Sequence, residues 1–185
     1  MKKYLYLVAI AIVSCGAILS SCSDDKVSGD SIFSTKAVQR NAFDQWLYKN
    51  YTMPYNIEFQ YRLKTEETEQ AYNFVPADSA KTVKLAILTK YMWFDAYAET
   101  VGLDFIKENA PRIILVTGTP GYTRYRTEVI GSAEGGYKVR LGKVNALTDE
   151  QLKDYGSMNN YYFHTMHHEF MHILNQKKPY DESYD

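Results

Sequence analysis

All four histidines of the chain, His164, His167, His168 and His172, fall within nine residues of its C-terminal part. Inside this run stands His168-Glu169-Phe170-Met171-His172, the pattern H-E-x-x-H. Side chains four apart on an α-helix differ by about 40° around the axis and about 6 Å along it. Two imidazoles at that spacing leave one face a turn apart, and both can reach a single zinc ion at about 2.0–2.1 Å. Glu169, directly after the first imidazole, points to the flank of that face, where a carboxylate can hydrogen-bond a water without coordinating the metal. Zinc lowers the pKa of such a water towards about 7 and polarises a carbonyl. The carboxylate then takes the proton and passes it to a leaving amine. The spacing therefore assigns His168 and His172 as metal ligands and Glu169 as general base.

Three fixed positions of this kind arise by chance in on the order of 0.5% of chains this long, so the pattern is specific for metal and less so for the reaction. Met166, Phe170, Met171, Ile173 and Leu174 surround it, and Glu169 is the one acidic or basic residue between Asn160 and Gln176, histidines aside. Such flanks predict a buried helix, whose imidazoles and carboxylate need partners that a metal can supply. His164 lies on the same stripe one turn earlier and His167 off it. Both are expected to pack or support rather than ligate.

The elements that must position this helix can be read from periodicity. Val38, Ala42, Phe43, Trp46 and Leu47 mark one face of a helix over 35–50. Ile57, Phe59, Tyr61 and Leu63 alternate with polar residues as a half-buried strand, and 65–73 is a polar loop. Pro76-Ala77-Asp78-Ser79 opens a long helix to about Thr100, closed by Gly102, with a short helix over 103–109. Ile113-Ile114-Leu115-Val116 is a strand-length apolar run, and Thr119-Pro120-Gly121 a turn. Two further strands, Tyr122 to Ile130 and Tyr137 to Val144, join across Glu134-Gly135-Gly136. Thr148 and Gln151 have capping-box spacing, and the last helix runs over 160–176. This order predicts an α+β fold with a mostly antiparallel sheet and the active-site helix near the C-terminus.

The N-terminus reads as an address. Lys2 and Lys3 precede an apolar stretch from Tyr4 to Leu19, whose 16 residues fall short of the roughly 20 that span a bilayer. Leu19-Ser20-Ser21-Cys22 resembles a bacterial lipobox, in which Cys22 is lipidated; Ile12-Val13-Ser14-Cys15 fits the same loose pattern with a shorter apolar run. Ser23-Asp24-Asp25-Lys26 resembles the acidic stretch of surface-exported lipoproteins. The expected organisation is a signal peptide over 1–21, a tether over 22–33 and one domain over 34–185. The expected location is the cell envelope, on an outer membrane facing the surface or the periplasm. Acyl chains anchor at about 0.8 kcal/mol per buried methylene. Removing residues 1–21, which hold Lys2 and Lys3 and no acid, leaves 19 basic against 22 acidic side chains, a net −3. That balance excludes a nucleic-acid partner held by phosphate contacts. Cys15 and Cys22, both N-terminal, make no disulfide framework.

Thr165 to Leu174 resembles the extended zincin signature. More narrowly, His168 to Tyr180 and the lipobox, with Tyr51 to Tyr61, resemble the zinc metallopeptidase lipoproteins found beside TonB-dependent nutrient importers. The resemblance implies a zincin-like fold and a zinc hydrolase, a peptidase, acting on peptide or protein in the uptake of a larger substrate. The pattern departs from the metzincin one, which would place a third His and a Gly where Lys178 and Asn175 stand. In gluzincins the third ligand is a carboxylate from a later helix, but only 13 residues follow His172, with Asp181, Glu182 and Asp185 as their acids. The expectation is that a C-terminal subdomain carrying the third ligand is missing, or that the site is a degenerate two-His one. Either way these residues should bind zinc weakly and hydrolyse slowly.

Tyr122, Arg124, Tyr125, Arg126 and Tyr137 cluster at the strand pair before the metal helix. In zincins an edge strand beside that helix pairs with the substrate backbone, so these side chains would flank a cleft. Two rival readings remain at this point. One is a non-catalytic envelope lipoprotein that captures peptide or glycan for an importer; the other is a zinc hydrolase acting on a non-peptide bond.

Overall fold

The computed structural model describes residues 39–64, 68, 71–178 and 183; the signal segment, Cys22, the tether, Asp181, Glu182 and Asp185 lie outside them. Residues 40–185 form one compact unit. Helix α1 (Ala42–Leu47) opens on a capping box, in which Asn41 Oδ1 accepts from the Asp44 amide at 2.7 Å and Asp44 Oδ2 from the Asn41 amide at 3.2 Å. It continues through a π-helical turn, Tyr48–Thr52, into α2 (Met53–Tyr55), and Asn56 in the left-handed region ends it. Strand β1 (Glu58–Gln60) follows. Asp78 caps α3 (Ser79–Thr89), which passes through a second π turn, Lys90–Asp95, into α4 (Ala96–Thr100). Gly102, at φ 109°, turns the chain into α5 (Leu103–Asn109), where an L side chain would be strained.

The remaining strands are β2 (Ile113–Val116), β3 (Gly121–Tyr122), β4 (Glu128–Val129), β5 (Gly131–Glu134) and β6 (Lys138–Leu141). Thr148 and Gln151 exchange side-chain-to-amide bonds at 3.0 and 3.2 Å, the expected capping box. Asp154 then caps α6 (Tyr155–Met158), which runs through a third π turn, Asn159–Phe163, into α7 (His164–Lys177). Among the described residues, no helix is long and apolar enough to cross a membrane.

The α+β class stands, but the sheet is not mostly antiparallel. Its order is β1-β2-β6-β5, and β1–β2 and β2–β6 pair in parallel; only the β5–β6 hairpin is antiparallel. The physical reason is the connection: helices α3 to α5 intervene between β1 and β2, and such a crossover delivers the next strand parallel. The unbroken run Ile113 to Val116 fits this, since a central strand covered on both faces needs no alternation.

The expected strand from Tyr122 to Ile130 is also corrected. It folds on itself as the small antiparallel pair β3–β4, and the strand facing β6 across the glycine turn is Gly131-Ser132-Ala133-Glu134. These small residues carry no strand-like pattern, and the size of Gly131 has a tertiary cause described below.

One sheet face makes the core with the helices. Phe59, Ile114 and Val139, in register across β1, β2 and β6, meet Tyr51, Phe94 and Trp93. Tyr51 lies 5.2 Å from Phe59 and 5.7 Å from Phe94, ring to ring, and its hydroxyl donates to the Ala86 carbonyl at 2.6 Å. From α7, Met166, Phe170 and Ile173 are fully buried here, with Trp93 edge-on to Phe170 at 5.6 Å. On the other face Gln60, Leu115 and Arg140 align and are buried, the Arg140 guanidinium lying 4.7 Å over the Phe74 ring.

Candidate metal centre

The helix that carries the motif is locked on one side and open on the other. Met166, Phe170 and Ile173 repeat at four and three residues, one face of an α-helix, and bury it. Ahead of them the buried Tyr162 hydroxyl donates to the Gly142 carbonyl at 2.8 Å, and burial pushes its phenol pKa well up. At the far end Lys177 donates to the Asn109 carbonyl at 3.1 Å, fastening the last turn of α7 to the end of α5.

On the opposite side the motif comes together. The Nε2 atoms of His168 and His172 lie 3.1 Å apart, with the rings nearly perpendicular at 87° and centroids 4.7 Å apart. Two nitrogen donors on a tetrahedral zinc, with bonds of about 2.0–2.1 Å, stand about 3.3 Å apart. The donor set therefore fits the ion in type and separation. The motif is not buried, however, as its flanks had predicted: His168 and His172 are exposed and Glu169 is half-buried. Only the intervening Phe170 points inward, so the apolar flanks report the helix's other face. Exposure leaves the nitrogens accessible to solvent, which hydrolysis requires.

Glu169 lies against the sheet edge. A Cβ built on Gly131 would meet Thr165 Cγ2 at 2.2 Å, Glu169 Cγ at 3.4 Å and Glu169 Oε1 at 3.5 Å. Gly131 is not among the residues of positive φ, so the glycine is required for space and not for conformation. Thr165 is itself fixed, its hydroxyl donating to the Tyr161 carbonyl at 3.1 Å. Gly131 is small because the motif helix runs against β5. No sequence signal marked Gly131 or Thr165 as part of the site.

The other two histidines sit in different surroundings. His164 is exposed, its ring stacked on His168 with centroids 6.1 Å apart. His167 is half-buried with Nδ1 3.2 Å from the Tyr97 hydroxyl. Tyr97 in turn stacks on Phe105 and meets Phe170 edge-on at 5.1 Å, so His167 ties α7 to α4. Burial, aided by His164, holds the His167 imidazole below its ordinary value.

Among the described residues, no group of three or more His, Cys, Asp or Glu side chains is placed to hold a metal; the donors brought together are those of His168 and His172. The tyrosine and arginine cluster divides in two. Tyr122, Arg124, Tyr125 and Arg126 belong to the β3–β4 hairpin that leads into β5. Tyr137 stands at the other end of β5, beside the Gly135-Gly136 turn, where Gly136 faces Gln176 of α7.

A protein family described as "putative zinc-binding metallo-peptidase" matches residues 36–185, and the chain belongs to it. The fold is similar to the crystal structure of a protein from Bacteroides caccae ATCC 43185 described in the same words, with a TM-score of 0.59 and 43% identity. The match covers 84% of this chain and 58% of that one. No curated protein matches the chain.

Two outcomes follow from the packing around the motif. Gly131→Ala should cost about 1–3 kcal/mol in urea unfolding by overpacking, and adding Thr165→Ser, which removes Cγ2 and keeps the hydroxyl, should restore most of it. A loss left unchanged by the second substitution would show that the helix does not press on the strand there. Separately, a histidine whose folded pKa lies below its unfolded value of 6.5 contributes fully above 6.5 and loses that contribution as pH falls from there through its lower folded pKa. Stability should therefore decline over that range, and His167→Gln should flatten the slope.

Proposed function

We propose that the chain is a zinc metallohydrolase of peptidase type, in which His168 and His172 hold the ion and Glu169 is the general base. The carrying observation is the pair of Nε2 atoms 3.1 Å apart on the solvent side of α7, one residue from a carboxylate lodged at the sheet edge. Zinc bound there supplies a Lewis acid that lowers the pKa of water towards about 7 and polarises a carbonyl. The chain's own residues do the rest. The two imidazoles present their nitrogens outward because the buried stripe of α7 fixes the roll of the helix. Glu169, half-buried between Gly131 and the motif face, accepts a proton at its carboxylate and returns it to the leaving amine. Strand β5 is the edge of the sheet among the described residues, the border along which an extended peptide would lie.

The N-terminal features complete the proposal. Cys22 carries the lipid, residues 22–33 tether the domain to the cell envelope, and the substrate is peptide or protein whose fragments serve a TonB-dependent importer. This rests on the lipobox-like sequence and on the resemblance stated above.

Metal analysis joined to turnover of a casein or peptide substrate tests the centre. Glu169→Gln should retain zinc and lose about 10²–10⁴-fold in kcat, whereas His168→Ala and His172→Ala should lose zinc itself. A protein that keeps zinc and shows no turnover dependent on Glu169 would be a binder instead of an enzyme. For the anchor, Cys22→Ser should abolish incorporation of labelled palmitate and release the protein from the membrane fraction. Unchanged labelling would place the acyl chain elsewhere.

A further inference from the structure

We propose that the β3–β4 hairpin is a recognition finger for acidic segments of a peptide substrate, reading side chains about three residues from the scissile bond. The inference rests on the metallopeptidase reading above and adds the class of substrate.

Three observations carry it. The first is the way the tip is closed. Thr123 Oγ1 accepts from the Tyr125 and Thr127 amides at 3.3 and 3.2 Å, the Arg126 amide donates to the Thr123 carbonyl at 2.8 Å, and the Thr123 amide to the Thr127 carbonyl at 3.0 Å. Within this ordered loop Arg126 sits at φ 62°, a left-handed position that glycine or asparagine fills at lower cost. An arginine kept at a strained tip points to use of its side chain.

The second is charge. The Arg124 guanidinium lies 4.6 Å over the Tyr125 ring and donates to the Tyr125 hydroxyl at 2.6 Å, while Tyr125 is 74% exposed. Stacking pre-organises the planar fork, and Arg124 is itself exposed, a setting in which a guanidinium suits carboxylates. Among the described residues no carboxylate pairs with Arg124 or Arg126. Lysines nearby do have partners, Lys143 with Glu128 and Lys138 with Glu134.

The third is position. The paired Lys143 also lies 5.4 Å over the Tyr161 ring, and the Tyr161 carbonyl receives the Thr165 hydroxyl. Strand β4 passes through Ile130, whose carbonyl accepts from the Gly142 amide at 2.6 Å, into Gly131, where an added Cβ would meet Glu169. The finger is thus rooted beside Tyr161, seven residues before His168. That is about 10 Å of helix, or about three residues of an extended peptide.

The test uses the full chain carrying Glu169→Gln and rhodamine-labelled ten-residue peptides with a central block of four Glu, four Gln or four Lys, read by fluorescence anisotropy. The Glu peptide should bind at least about tenfold more tightly than the Gln peptide at 50 mM salt, and the gap should close by 0.5 M. Arg124→Gln with Arg126→Gln should erase the gap with Tm unchanged, and Lys49→Gln, in the π turn whose Tyr51 packs on β1, should leave it intact. Equal binding of the Glu and Gln peptides, a gap that survives the double substitution, or preferential binding of neutral maltoheptaose would each overturn the finger. Because the readout needs neither zinc nor turnover, a charge preference without cleavage would sink the peptidase reading alone. Cleavage without charge preference would remove the finger and leave the enzyme.

Discussion

The roll of one helix about its axis is the constraint on which the site depends. Each residue advances an α-helix by about 100°, so the burial of Phe170 fixes where its neighbours His168, Glu169 and His172 point. Phe170 is held by aromatic edges from three sides, Trp93, Tyr97 and Phe105, contributed by the second π turn and by α4 and α5. Those contacts act on the chemistry only through geometry. A rotation of the helix by a few tens of degrees would carry the Nε2 pair off the solvent face or drive Glu169 into the β5 backbone. Packing on the inner face and presentation on the outer face are one and the same constraint.

The sheet edge imposes a matching demand from the other side. Helix α7 comes close enough to β5 that no Cβ fits at Gly131. Close approach places a carboxylate within reach of both the motif face and the strand. It also leaves the outer side of β5 as the border of whatever lies over the imidazoles. A larger residue in the strand would separate the general base from the edge along which substrate is proposed to run.

Much of this was legible in the residues, and the rest was hidden for identifiable reasons. His168, Glu169 and His172 announce themselves because their spacing matches a helical turn and their chemistry is rare. The helix over 79–100, the Gly102 stop, the Thr148–Gln151 box and the Gly135-Gly136 hairpin each have a local physical cause, and each is present. Parallel pairing is not local: it follows from a crossover over fifty residues long, and no alternation in Ile113 to Val116 tells of it. Strand β5 escaped because Gly131-Ser132-Ala133 lacks β-branched and aromatic residues, and Gly131 answers to α7 and not to strand propensity. Burial of the motif was misjudged because Met166, Ile173 and Leu174 describe the helix's inner face while His168 and His172 occupy the outer one. Only Met171, itself half exposed, breaks that division. The tyrosine and arginine group divided because nearness in sequence placed Tyr137 beside Tyr122, whereas the whole of β5 separates them in space.

The π turn at Asn159–Phe163 belongs to the same argument. Met158, Tyr162, Met166 and Phe170 are all buried, and they recur at a strict interval of four. In an uninterrupted α-helix twelve residues at that interval would drift about 120° around the axis, so Met158 and Phe170 could not both face one core. The wider i→i+5 turn rotates the chain less per residue and cancels part of the drift. It brings Tyr162 under the Gly142 carbonyl and Tyr161 beside Lys143, the residues that root the β3–β4 hairpin to the helix. The inserted residue thus lets one continuous helical path serve two surfaces: the core that sets the roll of the motif, and the finger that stands at the end of its strand.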